Sequence, residues 1–146
     1  LVLSTVHTNS AINAITRLRD MGIEPYLLSS SLIFVLSQRL VRKLCPHCKT
    51  DDQDSKNILE KYKIKGNAYK PVGCDKCDNT GYKGRLSIGE FVSIDEKISE
   101  LIHNSASENE ISDYVYKKNK TIYENGLQVV ANGDTSLSEL MRVIED

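Results

Sequence analysis

The sequence predicts a mixed α/β chain that is mostly helical and is interrupted by a cysteine-rich module. Residues 1–6 form an apolar run with β-branched side chains, as in a buried strand. Much of the remaining chain repeats apolar residues every three or four positions, the spacing of amphipathic helices. All four cysteines fall in the polar segment 45–84. These three observations define the fold class.

Composition narrows the range of functions. Hydrophobic residues make up 40% of the chain and charged residues 27%, as in a globular domain. The formal net charge of −1 gives no overall attraction to nucleic acid or to an anionic membrane. No apolar run reaches the roughly 18 residues that a membrane-spanning helix needs. Since the chain opens on an apolar run without an initiator Met, we expect a fragment of a longer protein.

Two helices are expected after the first strand. Asn9 or Ser10 can cap the first helix, which Gly22 ends. Pro25 opens the second helix, because proline is tolerated in a first helical turn. We expect this helix to extend to about Lys43. Leucines recur every four residues along it and would form its core face, and basic residues would crowd its last turns. The leucines are Leu28, Leu32, Leu36 and Leu40, and the basic residues are Arg39, Arg42 and Lys43.

A strand and several short helices are expected in the second half of the chain. Residues 85–94 alternate weakly between apolar and polar side chains, which predicts a strand returning to the main body. Residues 95–146 carry helical spacing, an apolar stretch at 127–131 and several capping signals. The caps are Asp95, the capping box Ser107 with Glu110, and the capping box Ser136 with Glu139.

The four cysteines form two Cys-x-x-Cys pairs separated by 25 residues. Two intervening residues let both thiolates of a pair face one tetrahedral site, and two pairs complete the shell of a structural zinc ion. The module has few apolar residues apart from a short helical segment near Leu59. We therefore expect metal binding, worth about 10–16 kcal/mol in small zinc peptides, to support its folding. Lys49 and Lys76 would lower the pKa of the adjacent thiols. The predicted ligands are Cys45, Cys48, Cys74 and Cys77.

Other interpretations of the cysteines remain open. Cys45-Pro-His-Cys48 also occurs as a thiol-oxidoreductase motif, but that chemistry needs the first cysteine at a helix start after a strand. Unliganded thiols are a second alternative. His47 could in principle bind metal as well, but four thiolates already fill the shell, so we expect it to face solvent.

Several segments together resemble one family. The combination resembles the C-terminal half of the ATPases that power type II secretion and type IV pilus assembly (the type II secretion protein E, or PilB-like, family), and it extends from residue 1 nearly to residue 146. The segments are Leu-Ser-Thr-Val-His-Thr-Asn-Ser-Ala (3–11), Ala-Ile-Thr-Arg-Leu-Arg-Asp-Met-Gly-Ile-Glu-Pro (14–25), Gln-Arg-Leu-Val-Arg-Lys-Leu-Cys-Pro-His-Cys (38–48), Gly-Tyr-Lys-Gly-Arg (81–85) and Asn-Gly-Asp-Thr-Ser-Leu-Ser-Glu-Leu (132–140).

This resemblance implies a partial RecA-like ATPase core of α/β class, with an inserted zinc module and a C-terminal helical subdomain. It also implies a homo-hexamer in the cytoplasm, peripheral to the inner face of the cytoplasmic membrane, that acts on an inner-membrane platform protein. Because the net charge is near zero, we expect no nucleic-acid partner. The expected divisions are 1–44 for part of the core, 45–84 for the zinc module, 85–94 for a returning core strand and 95–146 for the helical subdomain.

Two site residues follow from the resemblance. His7 would belong to the family's His box, which follows the Walker B strand, and would lie near the γ-phosphate of ATP. Arg85 aligns with an arginine that contacts bound nucleotide. The simpler interpretations are a polar residue at a strand end for His7 and a solvated charge for Arg85.

The chain contains no Gly-x-x-x-x-Gly-Lys-Ser/Thr motif, the loop that cradles nucleotide phosphates. ATP and Mg²⁺ would therefore bind in the intact parent, and we expect the fragment alone to be inactive. The alternative function is a stand-alone zinc-dependent module that binds nucleic acid or protein. We see no basic stripe interleaved with aromatic residues to favour it.

Overall fold

A computed structural model describes residues 1–145 of the chain. The described helices and strands mix along the sequence, which confirms the mixed α/β class. A 3₁₀ turn spans Asp75–Cys77. In chain order, the elements are α1 (Ala11–Asp20), α2 (Pro25–Ser31), β1 (Phe34–Leu44), β2 (Thr50–Asp51), α3 (Gln53–Lys61), β3 (Tyr69–Lys70), β4 (Tyr82–Ser93), α4 (Glu96–His103), α5 (Glu108–Val115), α6 (Ile122–Ala131) and α7 (Leu137–Glu145).

The strands pair in two small sheets. β1 pairs with β4, and β2 pairs with β3. The Ile94 N–H donates to the Ile33 carbonyl near one end of the first pair, and the Cys45 N–H donates to the Gly81 carbonyl near the other. These bonds join the start of one strand to the end of the other, so β1 and β4 are antiparallel.

The chain forms two compact units, each built from two separated stretches of sequence. Unit 1 contains residues 1–37 and 90–121, and the described part of unit 2 contains residues 38–89 and 122–145. Within unit 1, the helices α1, α2, α4 and α5 surround an apolar core. Its buried members are Ala11, Ile12, Ile15, Leu28, Val92, Ile98, Ile102, Ile111 and Val115.

Unit 2 has its own core, and the cysteine-rich segment contributes to it. Leu59 of α3 and Ala68 pack with the helices α6 and α7. The sequence indicates few apolar residues in this segment. Those that it has pack into the core formed by the C-terminal helices, so the segment does not need a separate core of its own. The buried members are Val41, Leu59, Ala68, Ile88, Ile122, Leu127, Val130, Ala131, Leu137, Leu140 and Val143.

The prediction of one long helix from Pro25 to about Lys43 is wrong. α2 ends at Ser31, and residues 34–44 form the strand β1. A repeat of four residues fits a helix approximately, but it is also a multiple of the two-residue period of a strand. The predicted core leucines Leu36 and Leu40 consequently share one strand face and are 54% and 55% exposed. The neighbouring Val41 is fully buried.

The predicted strand at residues 1–6 is also absent. The structure has no regular secondary structure there, and Leu1, Val2 and Leu3 are exposed. A strand needs a neighbouring strand to complete its hydrogen bonds, and no strand described within residues 1–145 pairs with this segment.

Most predicted helix ends are confirmed. Ser10 caps α1, Asp95 caps α4, and Ser107 with Glu110 forms a complete capping box at α5. At α7 the box is only half formed. The Ser136 hydroxyl accepts the Glu139 N–H, but the Glu139 carboxylate accepts hydrogen bonds from two arginines instead.

No helix within residues 1–145 combines the length and the apolar character that crossing a lipid bilayer requires.

Candidate metal centre

The structure brings the four cysteine sulfurs into one cluster. All four Sγ atoms lie within 4.8 Å of one another. Three of the six separations are 4.0 Å for Cys45 to Cys74, 3.8 Å for Cys48 to Cys77 and 3.8 Å for Cys74 to Cys77. Tetrahedral zinc with Zn–S bonds of about 2.3 Å places its sulfurs about 3.8 Å apart. The cluster therefore has the donor set and the spacing of a closed zinc site.

Local backbone turns position each pair of cysteines. At the end of β1, the N–H groups of Cys48 and Lys49 both donate to the Cys45 carbonyl and close a tight turn. The second pair lies on the 3₁₀ turn, where the N–H groups of Cys77 and Asn79 donate to the Cys74 carbonyl. Each turn directs two thiols toward the same point.

Backbone N–H groups donate to the cysteine sulfurs. The Cys48 sulfur accepts the Gly73 N–H, and the Cys77 sulfur accepts the N–H groups of Cys74 and Gly81, each at 3.3 Å. Gly73 and Gly81 both have positive φ, and a Cβ at Gly73 would lie 2.7 Å from the Asn79 carbonyl oxygen. Glycine is therefore required where the backbone approaches the sulfurs closely.

These hydrogen bonds contribute to a difference in pKa between the thiols of Cys74 and Cys77. Burial raises the pKa of the Cys74 thiol to about 11. Burial acts in the same direction at Cys77, but the N–H groups of Cys74 and Gly81 outweigh it and lower the pKa to about 7. Thiolate is the metal-binding form, so the N–H groups that stabilise the Cys77 thiolate also favour metal binding.

The ammonium of Lys49, next to Cys48, has other partners. The Lys49 ammonium donates to the Gly133 carbonyl at 2.7 Å and lies 4.5 Å from the centre of the Tyr69 ring. At Cys77, backbone N–H groups and not the neighbouring lysine lower the pKa. The prediction that Lys76 would do so is wrong for this thiol, and the prediction for Lys49 stays a prediction. His47 is exposed, and residues 1–145 contain no other cluster of three or more His, Cys, Asp or Glu side chains with this geometry.

A charged network that sequence reasoning missed lies in the same unit. The buried Glu139 carboxylate accepts hydrogen bonds from the Arg42 N–H, Nε and Nη2, and also from Arg142. The Arg42 guanidinium lies 4.2 Å from the Tyr82 ring centre, and the Tyr82 hydroxyl is 2.6 Å from the Ser136 hydroxyl. Burial raises the pKa of Glu139, but the two arginines outweigh it and lower the pKa to about 2.

His7 and Arg85 both lie at the protein surface. His7 is exposed in the non-helical segment before α1, within unit 1. Arg85 is exposed on β4, one residue after Gly84, whose φ is +80°, within unit 2. Both are available to a ligand or to another part of a longer chain.

The sequence matches the family described as "Type II/IV secretion system protein" over residues 1–142. The chain belongs to this family. Among curated members, it is 47% identical over 150 residues to "Type II secretion system ATPase E" of Vibrio cholerae and 45% identical over 147 residues to "Putative type II secretion system protein E" of Escherichia coli. It is 42% identical over 151 residues to "Type IV pilus assembly ATPase TfpB" of Acinetobacter baylyi.

These type II/IV secretion system proteins are much longer than the chain. The alignments cover 100%, 98% and 99% of this chain but only 30%, 30% and 26% of the respective relatives. The chain therefore spans less than a third of the curated secretion system proteins that it matches. Two of the three relatives are named as ATPases.

Proposed function

We propose that this chain is part of an ATP-hydrolysing motor that drives type II secretion or type IV pilus assembly. The observation that carries the proposal is the family match across residues 1–142, together with identities of 42–47% to relatives with those names. The parent acts as a homo-hexamer at the inner face of the cytoplasmic membrane and transmits its movement to an inner-membrane platform protein.

In this proposal the chain supplies part of a RecA-like ATPase core. Residues 1–44 and 85–94 belong to the core, 45–84 form the zinc module and 95–146 form the C-terminal helical subdomain. His7 lies near the γ-phosphate of ATP, and Arg85 contacts the nucleotide. The surface exposure of both side chains supports these roles, because each can meet a ligand without first leaving a packed core.

Cys45, Cys48, Cys74 and Cys77 hold one structural zinc ion. Three sulfur separations of 3.8–4.0 Å, close to the spacing of a tetrahedral site, support this assignment, and all four sulfurs lie within 4.8 Å of one another. Since four thiolates leave no open coordination position, the ion stabilises the fold and does not activate water.

ATP hydrolysis requires a phosphate-binding loop with its lysine, together with Mg²⁺. The chain contains no such motif, so we propose that the isolated 146-residue protein does not hydrolyse ATP. In the intact parent, His7→Ala and Arg85→Ala should each lower ATPase activity by about 10-fold or more, because each removes a contact to the reacting phosphates or the nucleotide. Lys97→Ala, on the exposed surface of α4, is the matched control and should leave activity unchanged.

Steady-state ATPase assays on the parent and on the 146-residue chain test the proposal. Hydrolysis by the purified 146-residue chain would contradict the assignment of ATP chemistry to the intact parent. An intact parent that does not hydrolyse ATP would contradict the proposed motor. A salt-dependent gel shift of the chain with nucleic acid would instead favour a stand-alone zinc-dependent binding module.

A further inference from the structure

A buried carboxylate in unit 1 lies at the start of α1. Glu90, on β4, is 2% exposed, and its Oε1 atom accepts the Ala11 N–H at 2.7 Å and the Tyr116 hydroxyl at 3.1 Å. Ala11 is the first residue of α1, and its N–H is one of the helix N–H groups that lack a partner within the helix. A negative charge at this end of a helix also interacts favourably with the helix dipole.

α1 already has a local N-cap, so the contact from Glu90 is not needed to start the helix. The Ser10 hydroxyl accepts the Asn13 N–H at 3.0 Å, which caps the helix in the usual way. Glu90 is 79 residues away from Ala11 in sequence. The contact from Glu90 holds the first residue of α1 against β4. The Ser10 cap, by contrast, determines only which residue starts the helix.

The surrounding hydrogen bonds strengthen this anchor. The Asn13 amide donates to the Glu108 carboxylate of α5 at 2.7 Å, so a second distant element holds the first turn of α1. Burial, followed by the charge of Glu90, raises the pKa of Tyr116 above its ordinary range. Tyr116 therefore remains protonated and continues to donate to Glu90.

The anchor continues toward His7 along the backbone. The Thr8 hydroxyl donates to the Ser10 carbonyl at 3.2 Å, which turns the preceding segment toward the start of α1. Ser10 is bonded to Ala11, whose N–H is held by Glu90, and His7 lies three residues before Ser10. The place from which His7 can reach a ligand thus depends on the position of the α1 N-terminus.

We propose that Glu90 is a positioning residue for His7. Through the buried Ala11 N–H, it fixes the start of α1 and so sets the place and direction of the segment from His7 to Ser10. The consequence for catalysis rests on the proposed function, in which His7 lies near the γ-phosphate of ATP. Glu90 itself touches no nucleotide in this proposal.

Three variants of the intact parent protein separate positioning from general stability. Glu90→Ala removes the anchor. Glu90→Gln keeps an oxygen at the same reach, which can still accept the Ala11 N–H and the Tyr116 hydroxyl. Asp95→Ala is the control in the same unit, since Asp95 also accepts one helix N–H, that of Ile98, and one tyrosine hydroxyl, that of Tyr114. Asp95 differs from Glu90 in being exposed and in pairing with Lys118.

Hydrogen exchange measures the anchor without reference to activity. Glu90→Ala should increase exchange at the start of α1, residues 11–14, by about 10-fold or more, and Glu90→Gln should remain near the parent value. Asp95→Ala should instead increase exchange at the start of α4. Unchanged exchange at residues 11–14 in Glu90→Ala would overturn the proposal, whatever the ATPase assay shows.

ATPase kinetics test whether the anchor acts through His7. Glu90→Ala should lower kcat by about 10-fold with KM for ATP nearly unchanged, while Glu90→Gln and Asp95→Ala keep the parent kcat. The double variant Glu90→Ala with His7→Ala should have the same kcat as His7→Ala alone. Once the His7 side chain is absent, misplacing residue 7 can lower kcat no further. If Glu90→Ala and Asp95→Ala lower kcat equally, Glu90 affects activity only through the stability of the fold, and the positioning role is contradicted.

Two further results have defined meanings. If Glu90→Ala does not fold, Glu90→Asp, which shortens the side chain by one methylene, takes its place with the same expected pattern. If His7→Ala retains full kcat, the proposed role of His7 fails. The exchange experiment then still decides whether Glu90 fixes the segment that carries it.

Discussion

Glu139 is a fully buried carboxylate in unit 2 that joins β1 to α7. Burying an ionised carboxylate is costly unless hydrogen bonds replace its hydration. Here the main chain and the guanidinium of Arg42 supply three of these bonds, and Arg142 supplies two more. Both arginines are about half exposed, so solvent screens their charges, whereas the carboxylate itself is shielded. The network is therefore more sensitive to the loss of the carboxylate than to the loss of either arginine.

The acid sensitivity of the protein should depend on Glu139. The pKa of Glu139 falls from an ordinary 4.5 to about 2 in the fold, so the unfolded chain binds a proton first as the pH falls. The stabilisation, roughly 3 kcal/mol for such a shift, should be fully present above about pH 4.5 and lost progressively toward pH 2. Urea unfolding of the unsubstituted protein at several pH values should show this loss of stability.

Glu139→Gln provides the comparison for this acid effect. At pH 7 the variant should be about 2–3 kcal/mol less stable, because two arginines lose their carboxylate partner. The difference should shrink as the pH approaches 2, where the parent sequence also carries a neutral side chain. Glu60→Gln, on the exposed surface of α3, should show no such pattern. A constant difference from pH 7 to pH 2 would contradict the assignment.

Lys49 should stabilise unit 2 without controlling metal binding. Its ammonium donates to the Gly133 carbonyl beyond the end of α6 and lies near the Tyr69 ring. Lys49→Met keeps the aliphatic chain but removes both interactions, which should cost about 1–2 kcal/mol in urea unfolding. Lys65→Met, on an exposed loop residue, should cost nearly nothing. Zinc content should be equal in both variants, and a loss of zinc in Lys49→Met would show that Lys49 acts at the cysteines after all.

At the level of secondary structure, β1 shows why a leucine repeat can mislead. The leucines at positions 36 and 40 fit a helix face, but they also share a strand face, and that face is exposed. The buried face carries Ser37 and Val41 instead. Spacing alone cannot separate the two structures over so few residues, because the decision depends on the pairing of β1 with β4 almost fifty residues later.

A pair of alanine substitutions tests the two faces of β1. Leu40→Ala deletes more carbon atoms than Val41→Ala, so a helix with a leucine core face predicts the larger loss for Leu40. The strand predicts the opposite: Val41→Ala should cost about 2 kcal/mol because Val41 is fully buried, and Leu40→Ala less than about 1 kcal/mol. Urea unfolding of both variants measures the difference. A larger loss for Leu40→Ala would contradict the assigned faces.

Interactions between residues close together in sequence could be predicted, whereas most interactions between distant residues could not. The caps at Ser10, Asp95 and Ser107 involve residues only three positions apart, so the sequence pattern contains all the information. The pairing of Glu139 with Arg42 joins residues 97 apart, and the local capping pattern at Ser136 concealed it. The cysteines are the exception among distant residues, because two Cys-x-x-Cys pairs indicate a shared site even without knowledge of the fold.

At the scale of the whole molecule, the two units are interleaved in sequence but have separate cores. The chain leaves unit 1 after residue 37, returns at residue 90, and leaves it again after residue 121. Within unit 2, backbone hydrogen bonds tie the cysteine-rich segment to the end of α6, and the end of β1 to the turn that follows α6. The Asn67 N–H donates to the Ala131 carbonyl, and the Leu44 N–H donates to the Asp134 carbonyl. The C-terminal helices therefore belong to the same folding unit as the cysteines.

Zinc removal should consequently loosen α6 and α7, not only the cysteine turns. Once the metal is lost, four thiols no longer hold the turns that follow β1 and precede β4, and the contacts to Ala131 and Asp134 lose their support. Chelation, or Cys48→Ala, should increase hydrogen exchange in 45–84 and at the α6–α7 turn on the order of 100-fold. Exchange in α4 and α5 should change far less, because their core contains no residue of unit 2.

His47→Ala is the matched control for this zinc experiment. His47 lies inside the same Cys-x-x-Cys turn as Cys48 but is exposed, so its loss should leave about one zinc ion per chain and normal exchange. Elemental analysis and hydrogen exchange on the same samples connect metal content to protection. If α6 and α7 keep full protection after the zinc is removed, the shared core of Leu59 and Ala68 with these helices is sufficient without metal, and zinc stabilises only its own two turns.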